Sequence, residues 1–220
     1  MTECAPLILA SASARRKEIL EAHGHSFVII PSDANESLPD DADFTPEETT
    51  IYLAELKAQA VFSGLIPEDW PQGCIILAVD TIVYKDSIIG KPVDEADALR
   101  ILRTLRNTTH QVISGVCILK TECRGGTNNT ECRDGNLPPI RFLETTETIK
   151  FADTTTVRFG DYTDEEILAY IRENPPYDKS GSYAIQSSWG RHVIFIAGDI
   201  ENVIGLPYPK IASYIKNFEL

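Results

Sequence analysis

Pro6-Leu7-Ile8-Leu9-Ala10-Ser11-Ala12-Ser13-Ala14-Arg15-Arg16-Lys17-Glu18-Ile19-Leu20 decides the fold class of this chain. Its first five residues have the length and uniform apolarity of a buried strand. From Ala14 to Leu20 every residue has good helix propensity, and Ser13 stands where an N-cap residue belongs. An apolar strand that turns straight into a helix is the opening move of an α/β unit. His23-Gly24-His25 ends the helix, and residues 27–31 read as a second strand.

Outward from this unit the same alternation continues. An acidic loop leads to a helix over about 46–62, and an apolar strand follows over 74–84. Residues 94–105 predict an amphipathic helix, with Ala98, Ile101, Leu102 and Leu105 on one face. Residues 110–119 alternate as a strand. The polar stretch 121–139, with Gly125-Gly126, Asn128-Asn129 and Pro138-Pro139, reads as a hairpin tip or insertion. Two strand-like runs follow over 141–159. Thr163 and Glu166 have the capping-box spacing for a helix to about 173. A loop over 175–181, a strand over 193–196 and a helix over 208–217 complete the pattern. With no repeat and no linker, the expectation is one domain over 1–220: an α/β fold with a mixed sheet flanked by helices.

Bulk properties narrow the function. Of the 220 residues 43% are hydrophobic and 24% charged, enough for a packed core without disulfides or metals. The five cysteines, at 4, 74, 117, 123 and 132, are odd in number and scattered, so they are no disulfide framework. Without an apolar run of membrane length or a signal-peptide pattern, the expected location is the cytoplasm. A net charge of −13 argues against a nucleic-acid backbone as partner, which needs a basic surface. A small anionic substrate instead requires a local cluster of cations.

One such cluster is the opening turn. Ser11, Ser13, Arg15, Arg16 and Lys17 place two hydroxyls and three cations at a helix N-terminus, where free amides and the helix dipole favour anions. Read alone, it fits either a phosphate cradle or a capped surface helix with solvated cations. Asp80 is the second signal. A carboxylate leaving the end of the apolar run Ile75 to Val79 is costly unless paired or metal-bound, and such a position suits a general base or a metal ligand. Lys57, Lys91, Glu36 and the loop from Asp178 to Gln186 add cations, an acid and an amide. Together they suggest phosphate-ester or phosphoanhydride chemistry with a divalent metal, and they leave the reaction open.

The order of these segments resembles the Maf family of nucleotide pyrophosphatases, also called septum-formation-inhibitor proteins. The matching blocks are Leu9-Ala10-Ser11-Ala12-Ser13-Ala14-Arg15-Arg16, Glu36, Leu53-Ala54-Glu55-Leu56-Lys57-Ala58, Val79-Asp80-Thr81, Gly90-Lys91-Pro92 and Thr109-His110. Asp178-Lys179-Ser180-Gly181-Ser182-Tyr183-Ala184-Ile185-Gln186 and Asn202-Val203-Ile204-Gly205-Leu206-Pro207 complete the set. The resemblance implies a twisted mixed sheet in two lobes around a deep cleft, and often a homodimer. It implies cleavage between the α and β phosphates of a nucleoside triphosphate with Mg2+ or Mn2+. Asp80 would accept the proton of the attacking water and, with Glu36, bind the metal. Ser11, Ser13, Arg16, Lys57, Lys91 and Lys179 would hold phosphates. Arg15, Thr81 and Gln186 match positions tied to substrate choice, and that set resembles the dTTP/UTP subgroup rather than the methylated-guanosine one. Two blocks depart from the family pattern: Ala14 stands where proline is usual, and Asn107-Thr108 where Gly-Arg is common. The family's second name keeps in view a nucleotide-binding regulator of cell division, but binding alone needs no isolated carboxylate such as Asp80.

Overall fold

In the computed structural model, residues 5–39, 42–126 and 140–215 are described. Their strands are β1 (Leu7–Leu9), β2 (Phe27–Ile29), β3 (Ile75–Lys85), β4 (Ser87–Ile89), β5 (Thr109–Gly126), β6 (Ile140–Phe159) and β7 (Val193–Ala197). The helices are α1 (Ala14–Ala22), α2 (Pro46–Ser63), α3 (Glu95–Leu105), α4 (Asp164–Glu173), α5 (Ile200–Ile204) and α6 (Tyr208–Ile215). The strands form one mixed sheet in the order β2-β1-β3-β5-β6-β7, with β4 paired to β3 off that path. β1 is parallel to both β2 and β3, and every other pairing is antiparallel.

Alternating side chains along β3 face opposite sides of the sheet, and each side has its own helix. Leu77 and Val79 pack with Ile19 and Leu20 of α1 and with Ile211 and Ile215 of α6. Ile76 and Ala78 pack with Ala54, Ala58 and Val61 of α2. The far ends of β3, β5 and β6 enter a third cluster, where Val83, Val112, Val157 and Phe159 meet α3, α4 and Trp189. The chain runs from β1 through α1 to β2 on one side of β1, then through α2 to β3 on the other. This reversal of strand order opens a crevice at the carboxyl ends of parallel strands, the usual ligand position in α/β sheets.

The expected α/β class with a mixed sheet is the observed one. Several local expectations change. Residues 140–159 form one long strand rather than two runs, because β6 pairs with β5 along its length from Gly126↔Ile140 to Thr109↔Arg158, with one irregularity at Lys120/Thr121. Residues 121–126 of the expected insertion prolong β5, and 127–139 lie outside the described residues. Ser13 takes the N-cap position of α1 but its side chain does not cap the helix. In α2 and α4, by contrast, Thr45 with Glu48 and Thr163 with Glu166 close full capping boxes. β4 and the short α5 carry no apolar periodicity that would reveal them.

One contact sets the height of α2 above the sheet. Gly115 pairs with Asp80 in register, and a Cβ built there would lie 2.1 Å from the carbonyl carbon of Thr50 in α2. The helix therefore sits closer to β5 than any side chain permits, and this close seat brings Lys57 of α2 down onto β3. Gly115→Ala is expected to lift α2, lowering stability by about 2–3 kcal/mol as overpacked core positions do. Urea unfolding of both proteins measures this, and an unchanged midpoint would mean that the helix does not depend on that contact.

Candidate active site

A cavity of about 510 Å³ opens at the crevice and is lined by the turn from Ala10 to Arg16, by Glu36, by Lys57 of α2 and by Asp80 and Thr81 of β3. Lys91, Lys179, Tyr183, Gln186 and Gly205 complete its lining. Every residue singled out in the sequence as a catalytic, phosphate, metal or specificity position thus faces one space. Five cations (Arg15, Arg16, Lys57, Lys91, Lys179) stand there against three carboxylates (Glu36, Asp80, Asp178). A positive excess inside a chain of net charge −13 concentrates the field where an anion would bind.

Asp80 lies in the middle of β3, not at a strand end as its sequence context suggested. β5 continues to pair with β3 beside it, while on the other side β1 makes its last pair at Leu77 and β4 its first at Val83. Among the described residues no strand pairs with that edge in between, where Ser180 Oγ donates to Thr81 O at 3.3 Å, so a mid-strand carboxylate reaches the cleft. Its burial is compensated by charge. Lys57 Nζ donates to Asp80 Oδ1 at 2.5 Å and lies 3.3 Å from Glu36 Oε2. The Lys57 and Asp80 side chains are 13% and 12% exposed, whereas that of Glu36 is 54% exposed.

Arg16 organises the opposite wall. Its Nε donates to Gly205 O at 2.9 Å, Nη1 to Ser11 Oγ at 2.9 Å and Nη2 to Thr81 Oγ1 at 3.2 Å. Burial pushes its pKa down to about 10, with Arg15 adding repulsion while Asp80 and Glu36 act in the opposite direction. It is still a cation at neutral pH. Ser11 Oγ also accepts from the Ser13 N–H at 3.2 Å. With both acceptor sites engaged, the Ser11 hydroxyl keeps its proton to donate, which suits a phosphate oxygen. Because Ser13 leaves α1 uncapped, the first-turn amides stay available to an anion as well.

The specificity positions separate in space. Thr81 Oγ1 is shared by Arg16, Ser114 Oγ at 2.9 Å and Gly205 O at 3.5 Å. Arg15 instead pairs with Asp178 Oδ2 at 2.9 Å, and Lys179 pairs with the other oxygen of the same carboxylate. Gln186 and Lys91 line the cavity at exposed positions. Sequence reasoning gave no role to Gly205 or Ser114, which complete the Arg16–Thr81 network. Ser114 could have been found only from the β3–β5 register, where it faces Thr81.

Comparison with known proteins identifies the family. The family model described as Maf-like protein matches residues 6–218. A protein of Agathobacter rectalis named dTTP/UTP pyrophosphatase is 35% identical over 218 residues, covering 96% of each chain. Proteins with the same name from Thermococcus gammatolerans (37% over 202 residues, 91% of this chain and 90% of that one) and Bacillus cereus (36% over 215 residues, 97% and 96%) are similarly close.

The wall beneath Tyr183 adds a pH dependence. His110 Nε2 and the Tyr183 hydroxyl are 2.8 Å apart in the core, and burial, with Lys85 adding repulsion, pushes the histidine down to about 4. Burial pushes the phenol up, so Tyr183 donates and a neutral His110 accepts. Below the unfolded-state value near 6.5 the unfolded chain binds this proton and the folded chain does not, so stability falls as pH drops from 6.5 toward 4. The loss attributable to His110 is on the order of 3 kcal/mol. Chemical denaturation across that window should show a shallower pH slope for His110→Gln than for the parent protein; equal slopes would remove His110 as the cause.

Proposed function

We propose that this chain, which belongs to the Maf family, hydrolyses dTTP and UTP to the monophosphate and pyrophosphate. The observation that carries the reading is the cation-rich cleft with a single deeply set carboxylate, Asp80, facing the Ser11–Arg16 turn. The names of relatives that match nearly the whole chain support the same reaction and substrates.

In this reading Asp80 accepts a proton from water as the water oxygen bonds to the α phosphorus. The bond from that phosphorus to the α–β bridging oxygen breaks, and its electrons leave with pyrophosphate. Arg16, Lys57, Lys91 and Lys179 neutralise the phosphate oxygens, whose charge grows on the leaving side. Ser11, Ser13 and the first-turn amides of α1 donate to the same oxygens. Thr81 acts on substrate choice by holding Arg16 in place, since its hydroxyl is engaged within the protein. Gln186 presents the donor and acceptor of an amide, which matches the mixed edge of a pyrimidine; a base without that edge would forgo those hydrogen bonds. Arg15, tied to Asp178 and Lys179, is placed to release onto a bound nucleotide.

A divalent cation is part of the proposal. Glu36 and Asp80 already converge on one ammonium, so their oxygens face a common point. Among the described residues no group of three or more His, Cys, Asp or Glu gathers. Two carboxylates completed by substrate phosphates are nevertheless a normal way to hold Mg2+, and the residues fit it. Bound there, Mg2+ or Mn2+ would supply charge neutralisation at the phosphates. The proposed nucleotide substrate fits work in the cytoplasm. Among the described residues no helix is long and apolar enough to cross a membrane.

With magnesium or manganese, pyrophosphate release from a panel of dTTP, UTP, CTP, dGTP, ATP and 7-methyl-GTP should be fastest for dTTP and UTP. Orthophosphate with a diphosphate would move the attack to the γ phosphorus, and binding without turnover would favour a regulator. Asp80→Asn should lower kcat by about 10²–10⁴-fold, the range of a general base, while nucleotide binding persists. Gln186→Glu should change the order of preferred bases, and an unchanged order would take Gln186 out of base recognition.

A further inference from the structure

Lys57 stands in an unusual place for a phosphate ligand. Its ammonium does not point into open cleft space but is held between Asp80 Oδ1 at 2.5 Å and Glu36 Oε2 at 3.3 Å. Those are the two carboxylates that the proposed function gives to the divalent cation. With no competing anion the lysine stays at this point, since its side chain is 13% exposed and α2 seats its backbone close to the sheet at Gly115, while the flexible stem lets the ammonium swing to a bound phosphate. The point between the carboxylates is therefore already occupied by a positive charge.

From this arrangement we infer that Lys57 is the resident cation of the metal site. The ammonium and a divalent cation exclude each other between Glu36 and Asp80, and the metal loads only together with the triphosphate. This inference rests on the proposed function and deepens it.

Two considerations support it. A magnesium-like cation bound to both carboxylates at about 2.0–2.1 Å would take up the position of Nζ, and repulsion would oppose sharing it. The local charge count points the same way. Glu36 and Asp80 are balanced by Lys57 and Arg16, and Arg16 is fixed by three hydrogen bonds to Ser11, Thr81 and Gly205. With Lys57 seated between the carboxylates the site is thus close to neutral, and an added divalent ion alone would leave it strongly positive. The several negative charges of a triphosphate restore the balance and offer Lys57 new partners. Arg15 and Lys179 show the same arrangement at the cleft mouth, where Asp178 holds both until another anion competes.

The test is Mn2+ binding to the full chain, followed by electron paramagnetic resonance of the free ion, with no nucleotide present. The parent protein should bind weakly, Lys57→Met and Lys57→Gln at least ~10-fold more tightly, and Lys57→Arg no better than the parent. Adding Asp80→Asn to Lys57→Met should remove the gain. With a UTP analogue carrying a methylene bridge between the α and β phosphates, the parent should take up Mn2+ tightly. Equal or weaker Mn2+ binding by both neutral variants, folded by circular dichroism, would overturn the inference and leave the proposed reaction standing. Absence of Mn2+ uptake by the parent even with the analogue would overturn the metal assignment, and the inference with it.

Discussion

Between Leu77, the last partner of β1, and Val83, the first partner of β4, one edge of β3 has no partner strand among the described residues. The candidate site depends on this gap. Because β5 keeps pairing on the other edge, β3 stays a paired strand through the gap, and Asp80 and Thr81 are presented by a strand rather than by a loop. A carboxylate held on a strand keeps its aim, which matters where small displacements of reacting groups lower rates steeply. The gap itself follows from topology. β1 is only three residues long and must turn into α1, so it cannot accompany β3 any further.

The two faces of the sheet then supply different functions to one crevice. Asp80 lies on the face that packs α2, from which Lys57 descends. Thr81 lies on the opposite face, reached by Arg16 of α1 and by the Gly205 carbonyl just after α5. One wall therefore holds carboxylates with an ammonium between them, and the other holds a guanidinium with hydroxyls. Hydrolysis of a phosphoanhydride needs both, a proton acceptor on one side and fixed positive charge on the other. A negative net charge is no obstacle, because five cations concentrate at this crevice.

Gly205 illustrates how structural and functional demands meet. Its φ of 130° lies where a side chain is strained, and the turn it makes aims its carbonyl at Arg16. The preceding helix α5 is held by Asn202, fully buried, whose amide donates to Val112 O, Asp153 O and Thr155 Oγ1. The block Asn202-Val203-Ile204-Gly205-Leu206-Pro207 thus contributes an anchoring amide at Asn202 and a backbone turn at Gly205, which is why its side chains suggested no chemistry.

The α/β class and the helix limits with strong caps were legible in the sequence, as was the opening turn as a candidate anion site; apart from Asp80, the rest of the candidate site came from the family resemblance. Apolar runs, Thr-x-x-Glu boxes and a cation-rich strand–helix turn are local signals, and local signals survive in one dimension. Asp80 was legible because a lone acid in an apolar strand demands compensation. The unity of β6, the central place of Asp80 in β3, the pairing of Arg16 rather than Arg15 with Thr81, and the parts played by Ser114 and Gly205 were decided by tertiary structure. Each depends on strand register or on the approach of α2 to Gly115, contacts between residues tens to more than a hundred positions apart. Propensity and spacing carry no term for such distances. They settle which elements form, whereas packing settles which side chains meet.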